Sequence, residues 1–481
     1  MCPEPQCKGV FGAMEYQKQI QEYFAAHRQQ LVDAVCRLVR IRSVGEDPQP
    51  GMPYGPGPAA ALAEALEMAG QMGFATRNYE NYVGTADLND HPTQLAILAH
   101  LDVVHEGTGW TVTEPYEPVE KEGKLYGRGA GDDKGPAVSA LFAMKAVKEL
   151  GIPLQKNVRL ILGTDEERGS HDLTYYFSKE KAPPMSFSPD ANYPVINIEK
   201  GGLRSSFTGQ WQPTEALPRL VRLEGGNTAN IVPQQAFALL EGIDLETVRK
   251  HCDAYQAKTR AQFQVSQENG LVRIDVLGLS AHASMPEKGN NAIQALVEAV
   301  STLPLAKSSS FDHLQAVARL FPHGDYLGRA LGVDQKDDIS GVLTLNLGIF
   351  HMDLEHLEGV IDSRTPICAN EMNMSRVVAR RLAEYDLQLE NTRMNPPHHT
   401  PADSPLVKTL LSIYENYTSR QGGCIAIGGG TYVHHIEGGV AFGCAFPETD
   451  NHFHGPDEFA VVDDLLISAQ MFAQAIVELC A

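Results

Sequence analysis

The sequence predicts an α/β protein that carries a second, α+β domain inserted within the chain. Three observations predict it. Leu95-Ala-Ile-Leu98, an amphipathic segment over 136–150 and the β-branched, leucine-rich run 157–162 follow one another as strand, helix and strand. Polar residues gather just after the ends of both apolar runs, where open α/β sheets place their ligand sites. From about Leu203 the texture changes to strand/helix/strand groupings with alternating faces. The expected division is therefore a first domain in two parts, 1–202 and 374–481, around an insert over 203–373.

Taken in order, the first ten residues lack periodicity and read as a loose tail. Leu31, Ala34, Val35 and Leu38 then fall at helical spacing, predicting a helix that ends at Arg40. The prolines of 48–58 make a rigid loop, followed by a helix over 58–70 and short strands over 74–79 and 85–88. After the 95–98 strand, Ala137, Ala140, Leu141 and Met144 form the buried stripe of a helix stopped by Gly151-Ile-Pro153. The insert reads as strands over 219–223 and 236–241, a helix over 245–263 and a strand over 271–278. A helix over 291–303 and strands over 342–347 and 359–364 complete it. A helix over 375–385 and a strand over 388–391 return toward the first domain. A helix over 405–420, the turn Gly428-Gly-Gly-Thr431, a strand over 439–446 and a helix over 463–479 close the chain. Leu465, Ala469, Phe472, Ile476 and Leu479 stripe that last helix.

Composition excludes more than it selects. The net charge of −21 over 481 residues argues against nucleic acid or an anionic membrane as partner. No basic-then-apolar leader and no bilayer-length apolar run is present in the sequence. The 8 cysteines are scattered without a CxxC pair, which reads as reduced thiols in a cytoplasmic protein.

The polar residues at the strand ends carry the chemistry. His100-Leu-Asp102 places a carboxylate two residues from an imidazole, on the same face of an extended strand. Asp102 there can clamp a His100 that turns to a metal, or the pair can be an ordinary surface contact. Asp132 and Asp133 precede a helix and can equally cap its amides. Glu166 and Glu167 repel unless a cation or proton shares their space, or unless the turn is solvated. Asp190 follows Ser188-Pro, and His452 and His454 stand before Gly-Pro-Asp457-Glu458. His398-His399 reads as loop; His434-His435 closely follows the glycine turn.

Five stretches in order, AHLDVV, GRGAGDDKGP, GTDEERGS, SPDANYPVINIEKG and FHGPDE, resemble the M20 family of zinc-dependent peptidases and deacylases. The YGPGPA loop, the SAHAS segment with its following proline, glycine and Asn-Ala, and GGGTY resemble the dipeptidase V branch within it. The likeness spans about Leu31 to Leu479. It implies a zinc-peptidase-like catalytic domain, a mixed sheet flanked by helices, with the insert as a lid. It also implies a site of two divalent ions, Zn²⁺ first, with Mn²⁺ or Co²⁺ as alternatives. By this resemblance His100, Asp132, Glu167, Asp190 and His454 are metal ligands, with Asp132 between the ions. Asp102 orients His100, Glu166 is the general base, and His282 touches the reacting carbonyl. Asn230 and Arg364 hold the substrate, Arg364 by its terminal carboxylate, and Gly429, Gly430 and Thr431 lie in the turn backing that carboxylate.

The implied activity is hydrolysis of dipeptides or short peptides with a free C-terminus. An N-acyl-amino-acid deacylase on the same two-metal site is the alternative, and a silent binding homologue a third reading. The length of the insert implies a monomer that supplies its own His282. Three departures from the family pattern stand out: Asp457 where relatives carry Asn, His452 beside the ligand, and Arg168 after the glutamates.

Overall fold

The computed structural model describes residues 7–481, with side chains from Tyr16 onward. The first six residues of the expected tail lie outside the described residues, and the remaining four already belong to a helix, Cys7–Val39. The chain divides into two compact units, Met1–Ile198 with His399–Ile425 and Gly430–Ala481, and Glu199–His398 with Ala426–Gly429.

The first unit is built on a mixed sheet. Its strands run in the order Ala75–Tyr79, Val83–Asp87, Asn157–Gly163, Thr93–His100, Met185–Ser188 and Val440–Ala441. Thr93–His100 lies parallel to both Asn157–Gly163 and Met185–Ser188, with His100 opposite Gly163. Three neighbouring strands thus end at one edge, and the segments leaving them carry His100, Glu166 with Glu167, and Asp190. From Leu95 onward Thr93–His100 is buried on both faces. Lys134–Glu149, Val462–Cys480 and Cys7–Val39 supply one continuous core through Ala137, Leu141, Phe472, Ile476, Leu31 and Leu38.

The second unit is an eight-stranded, antiparallel sheet. Along Gly201–Gln210 burial alternates residue by residue, the mark of a sheet with one covered face. Leu245–Thr259, Ala292–Val300 and Ser309–Leu320 bury Val248, Cys252, Ile293, Leu296, Leu314 and Val317 in its core. Asp244, Asn291 and Ser308 cap these helices by accepting the N–H groups of Thr247, Gln294 and Phe311.

Several expectations need correction. The helix over 245–263 stops at Thr259, where Arg260 turns left-handed, and Gln262–Glu268 is the edge strand paired with Leu271–Leu277. Ser375–Ala383 and Gln388–Leu389 do not return to the first unit. Met374, Val378 and Leu382 are buried in the second core, and Gln388–Leu389 pairs with Gly201–Gln210. The second crossing therefore falls at His398, not after 373. The strand over 439–446 shrinks to Val440–Ala441.

Candidate metal centre

The site in the first unit is made where the parallel strands run out. His100 is buried, its N–H donating to Asp133 Oδ2 at 3.0 Å. Its Nδ1 lies 3.0 Å from the backbone oxygen of Asp102 and 3.5 Å from that residue's Oδ1. A carbonyl only accepts, so Nδ1 carries a proton, and in the neutral ring Nε2 presents a lone pair. That Nε2 faces Asp132 Oδ1 at 3.0 Å and Asp190 Oδ2 at 3.5 Å. The other oxygen of Asp132 lies 3.0 Å from Nε2 of His454, which is also 3.2 Å from Glu167 Oε1. Two donor groups result, His100–Asp132–Asp190 and Asp132–Glu167–His454, and each could hold a metal ion. Asp132 belongs to both.

The fit to cations shows in atoms left unsatisfied. His100 Nε2, Asp132 Oδ1 and Glu167 Oε1 are buried without a hydrogen-bond partner. Buried polar atoms are rarely left so, and here they converge. Burial and neighbouring carboxylates push the acids of Glu166, Glu167 and Asp190 upward. Burial would also raise Asp132, yet the imidazoles of His100 and His454 hold it below the ordinary carboxylate range. The close carboxylates of Asp132 and Glu167 lift His454 to about 11. So many acids in one place are strained as anions without positive charge, and divalent cations are the charge their geometry suits. Glu166 stands outside both donor groups, adjacent in sequence to Glu167.

Asp102 does more than stand behind His100. Its Oδ1 and Oδ2 accept the N–H groups of Glu166 and Glu167, at 3.2 and 3.1 Å, which fixes the turn that separates the two glutamates.

Three further residues support the donors, and sequence reasoning did not single them out. Glu458 Oε1 accepts the N–H groups of Gly129, Gly131 and Asp132, and its Oε2 meets Arg128 Nη1 at 2.5 Å. Arg128 Nη2 donates to the carbonyl of Gly455, beside His454. This buried pair ties the loop bearing Asp132 to the loop bearing His454. Both residues sit inside quoted motifs, so the signal was present but read only as neighbourhood. Asp172 gave no signal: its Oδ2 accepts the N–H groups of Thr164 and Asp165 and the Tyr432 hydroxyl, bracing the strand end before Glu166.

The departures now have physical accounts. Asp457 accepts the N–H groups of Thr111 and Val112 at Oδ1 and the Thr111 hydroxyl at Oδ2, a role for an acceptor-only side chain. Arg168 Nη1 donates to the carbonyl of Glu46. His452 stacks edge-on against Phe459 and belongs to neither donor group. Neither His398-His399 nor His434-His435 enters either group.

The remaining candidates lie mostly in the second unit. Ile231 pairs with His282 in an isolated bridge, and Ala283 N–H donates to Asn230 O at 2.9 Å, so Asn230 and His282 share one loop pair. Arg364 Nε is 3.1 Å from Asp362 Oδ1, and Arg204 Nη2 holds the other oxygen at 2.7 Å. A Cβ on Gly428 would sit 2.7 Å from Ser284 Cβ and 3.4 Å from Arg364 Cγ, so a close approach requires glycine there. Gly429 belongs to this unit, whereas Gly430 and Thr431 count with the first.

The family model for peptidase family M20/M25/M40 matches residues 96–478. The chain belongs to this family. Among M20 relatives, a putative dipeptidase of Bacillus subtilis (strain 168) is 37% identical over 461 residues, covering 94% of this chain and 97% of its own length. The Beta-Ala-Xaa dipeptidase of Lactobacillus delbrueckii subsp. lactis is 33% identical over 432 residues, covering 89% and 90%. The same fold occurs in human carnosine dipeptidase 1, with a TM-score of 0.57 at 15% identity over 96% of this chain and 99% of that one. Aminoacylhistidine dipeptidase from Vibrio alginolyticus gives 0.57 at 14% identity, over 95% and 97%. M20 membership makes this chain a hydrolase of the metallopeptidase class, the class in which paired carboxylate–histidine groups are expected.

Proposed function

We propose that this M20 enzyme is a dinuclear metal-dependent dipeptidase of the dipeptidase V branch, acting on dipeptides or short peptides with a free C-terminal carboxylate. The observation that carries the reading is the pair of donor groups sharing Asp132, with Glu166 beside them. The names of the relatives, dipeptidases at 37% and 33% identity, support the substrate class.

His100 and Asp190 would hold one ion, Glu167 and His454 the other, and Asp132 both. Zinc suits this set, and manganese or cobalt would also fit its oxygen-rich donors. When bound, such a pair supplies Lewis acidity that activates water at neutral pH and polarises the scissile carbonyl. Glu166 takes the proton of the attacking water and passes it to the departing amine. Burial holds its carboxyl well above the ordinary carboxylate range, which suits both halves of that task. Asn230 and His282 contribute the contacts to the amide, and Arg364 pairs with the terminal carboxylate in front of the Gly428–Thr431 turn.

The reading takes His282 from the same chain, as in a catalytically self-sufficient monomer. Mixing inactive His282→Ala and Glu166→Ala chains should restore no activity, and recovery would show exchange between subunits. The scattered cysteines, of which Cys36, Cys252, Cys368, Cys424, Cys444 and Cys480 are unpaired, fit a reducing cytoplasm. Among the described residues no helix is long and apolar enough to cross a membrane.

The test is a panel of dipeptides beside N-acetyl and N-succinyl amino acids, with zinc or manganese added. Turnover of dipeptides is expected; turnover of the acylated amino acids alone would replace the reading with a deacylase.

A further inference from the structure

The exposed ring of His282 is held by its own loop through Nδ1. The backbone N–H of Ser284 points at Nδ1 from 3.1 Å, and Ser284 Oγ lies 2.6 Å from the same atom. A backbone N–H has a fixed proton and can only donate. Nδ1 is therefore an acceptor in this geometry, and the single proton of the neutral imidazole resides on Nε2. A hydroxyl rotates freely, so Ser284 Oγ–H can reinforce the same bond without conflict.

The loop that sets this arrangement is pinned on both sides. Val232 N–H donates to Ala281 O at 2.8 Å, Ala283 N–H to Asn230 O at 2.9 Å, and Met285 N–H to His282 O at 2.9 Å. Ser284 is also packed beneath Gly428, where any side chain would meet its Cβ at 2.7 Å.

We propose that Ser284 is a positioning residue that locks His282 in the Nε2–H tautomer, so that His282 meets the substrate carbonyl oxygen as a hydrogen-bond donor. The proposal rests on the reading of His282 as the group facing that carbonyl. It leaves Glu166 as the sole base and gives His282 a fixed dipole aimed at the oxygen on which negative charge develops.

The test labels the full-length protein with ¹⁵N-histidine and assigns His282 by the signals missing from the His282→Gln chain. Long-range ¹H–¹⁵N correlations should show an unprotonated Nδ1 and a protonated Nε2; a protonated Nδ1 overturns the proposal. Ser284→Ala should lower kcat about fivefold, the scale of one ordinary hydrogen bond, with KM nearly unchanged and Ser284→Thr restoring the rate. An unchanged kcat in Ser284→Ala removes the Ser284 hydroxyl as a positioning group, since alanine keeps the backbone N–H. The tautomer is read without substrate, so an Nε2–H ring in a chain that hydrolyses no dipeptide would sink the dipeptidase reading while upholding the Ser284 assignment.

Discussion

Asp102 Oδ2 accepts the backbone N–H of Glu167 at 3.1 Å. With its Oδ1 on Glu166 N–H, the carboxylate spans the turn that sends one glutamate to the donor groups and leaves the other outside them. Asparagine in its place retains one acceptor and turns an amide against the second N–H. Asp102→Asn should therefore weaken metal binding or turnover by about 10–100-fold, the range for groups that orient ligands. Chelator competition on the purified variant measures it.

Arg128 and Glu458 form a buried pair, and Glu458 also satisfies three backbone N–H groups. Removing one partner leaves the other charge without compensation. Arg128→Met should cost about 3–5 kcal/mol of stability in denaturant unfolding. Adding Glu458→Gln should cost much less than a second independent loss, because the stranded charge goes with it.

Gly163 sits directly against the Tyr432 hydroxyl and Asp172 Oδ2, where a Cβ would overlap both. Gly163→Ala should destabilise the fold by about 1–3 kcal/mol and lower activity, since the strand end before Glu166 must shift. Thermal unfolding and kcat measured together check both effects.

Lys134 is fully buried, with Nζ donating to Ile41 O at 2.7 Å, and burial pushes it down to about 7. An unfolded lysine titrates near ~10.4. Between those values the unfolded chain binds more protons, so stability from this group rises with pH. That contribution is complete above ~10.4 and is lost as pH falls through about 7. Unfolding temperatures across this window should rise with pH in the wild type relative to Lys134→Met.

Much of this was legible in the sequence, and the reason is local. His100 ends a strand, Glu166 with Glu167 and Asp190 follow strand ends, and strands announce themselves by apolar runs. The role of Asp102 was half legible: its proximity to His100 follows from spacing, but its bonds to the N–H groups of Glu166 and Glu167 span more than 60 residues. Asp172 and Glu458 could not be found by periodicity, because their partners are backbone amides brought near only by folding. The 245–263 helix ran too far because Phe263 and Val265 continue an apolar pattern that belongs to an edge strand. Ser375–Ala383 was assigned to the wrong unit because an amphipathic stripe shows that a helix is buried without showing against which core.

Metal counting by mass spectrometry on the dialysed protein decides whether two ions are held by donor groups sharing Asp132. Two equivalents of zinc or manganese are expected per wild-type chain, one in His100→Ala, one in His454→Ala, and none in Asp132→Ala. Two tightly bound ions in Asp132→Ala would rule out the shared carboxylate.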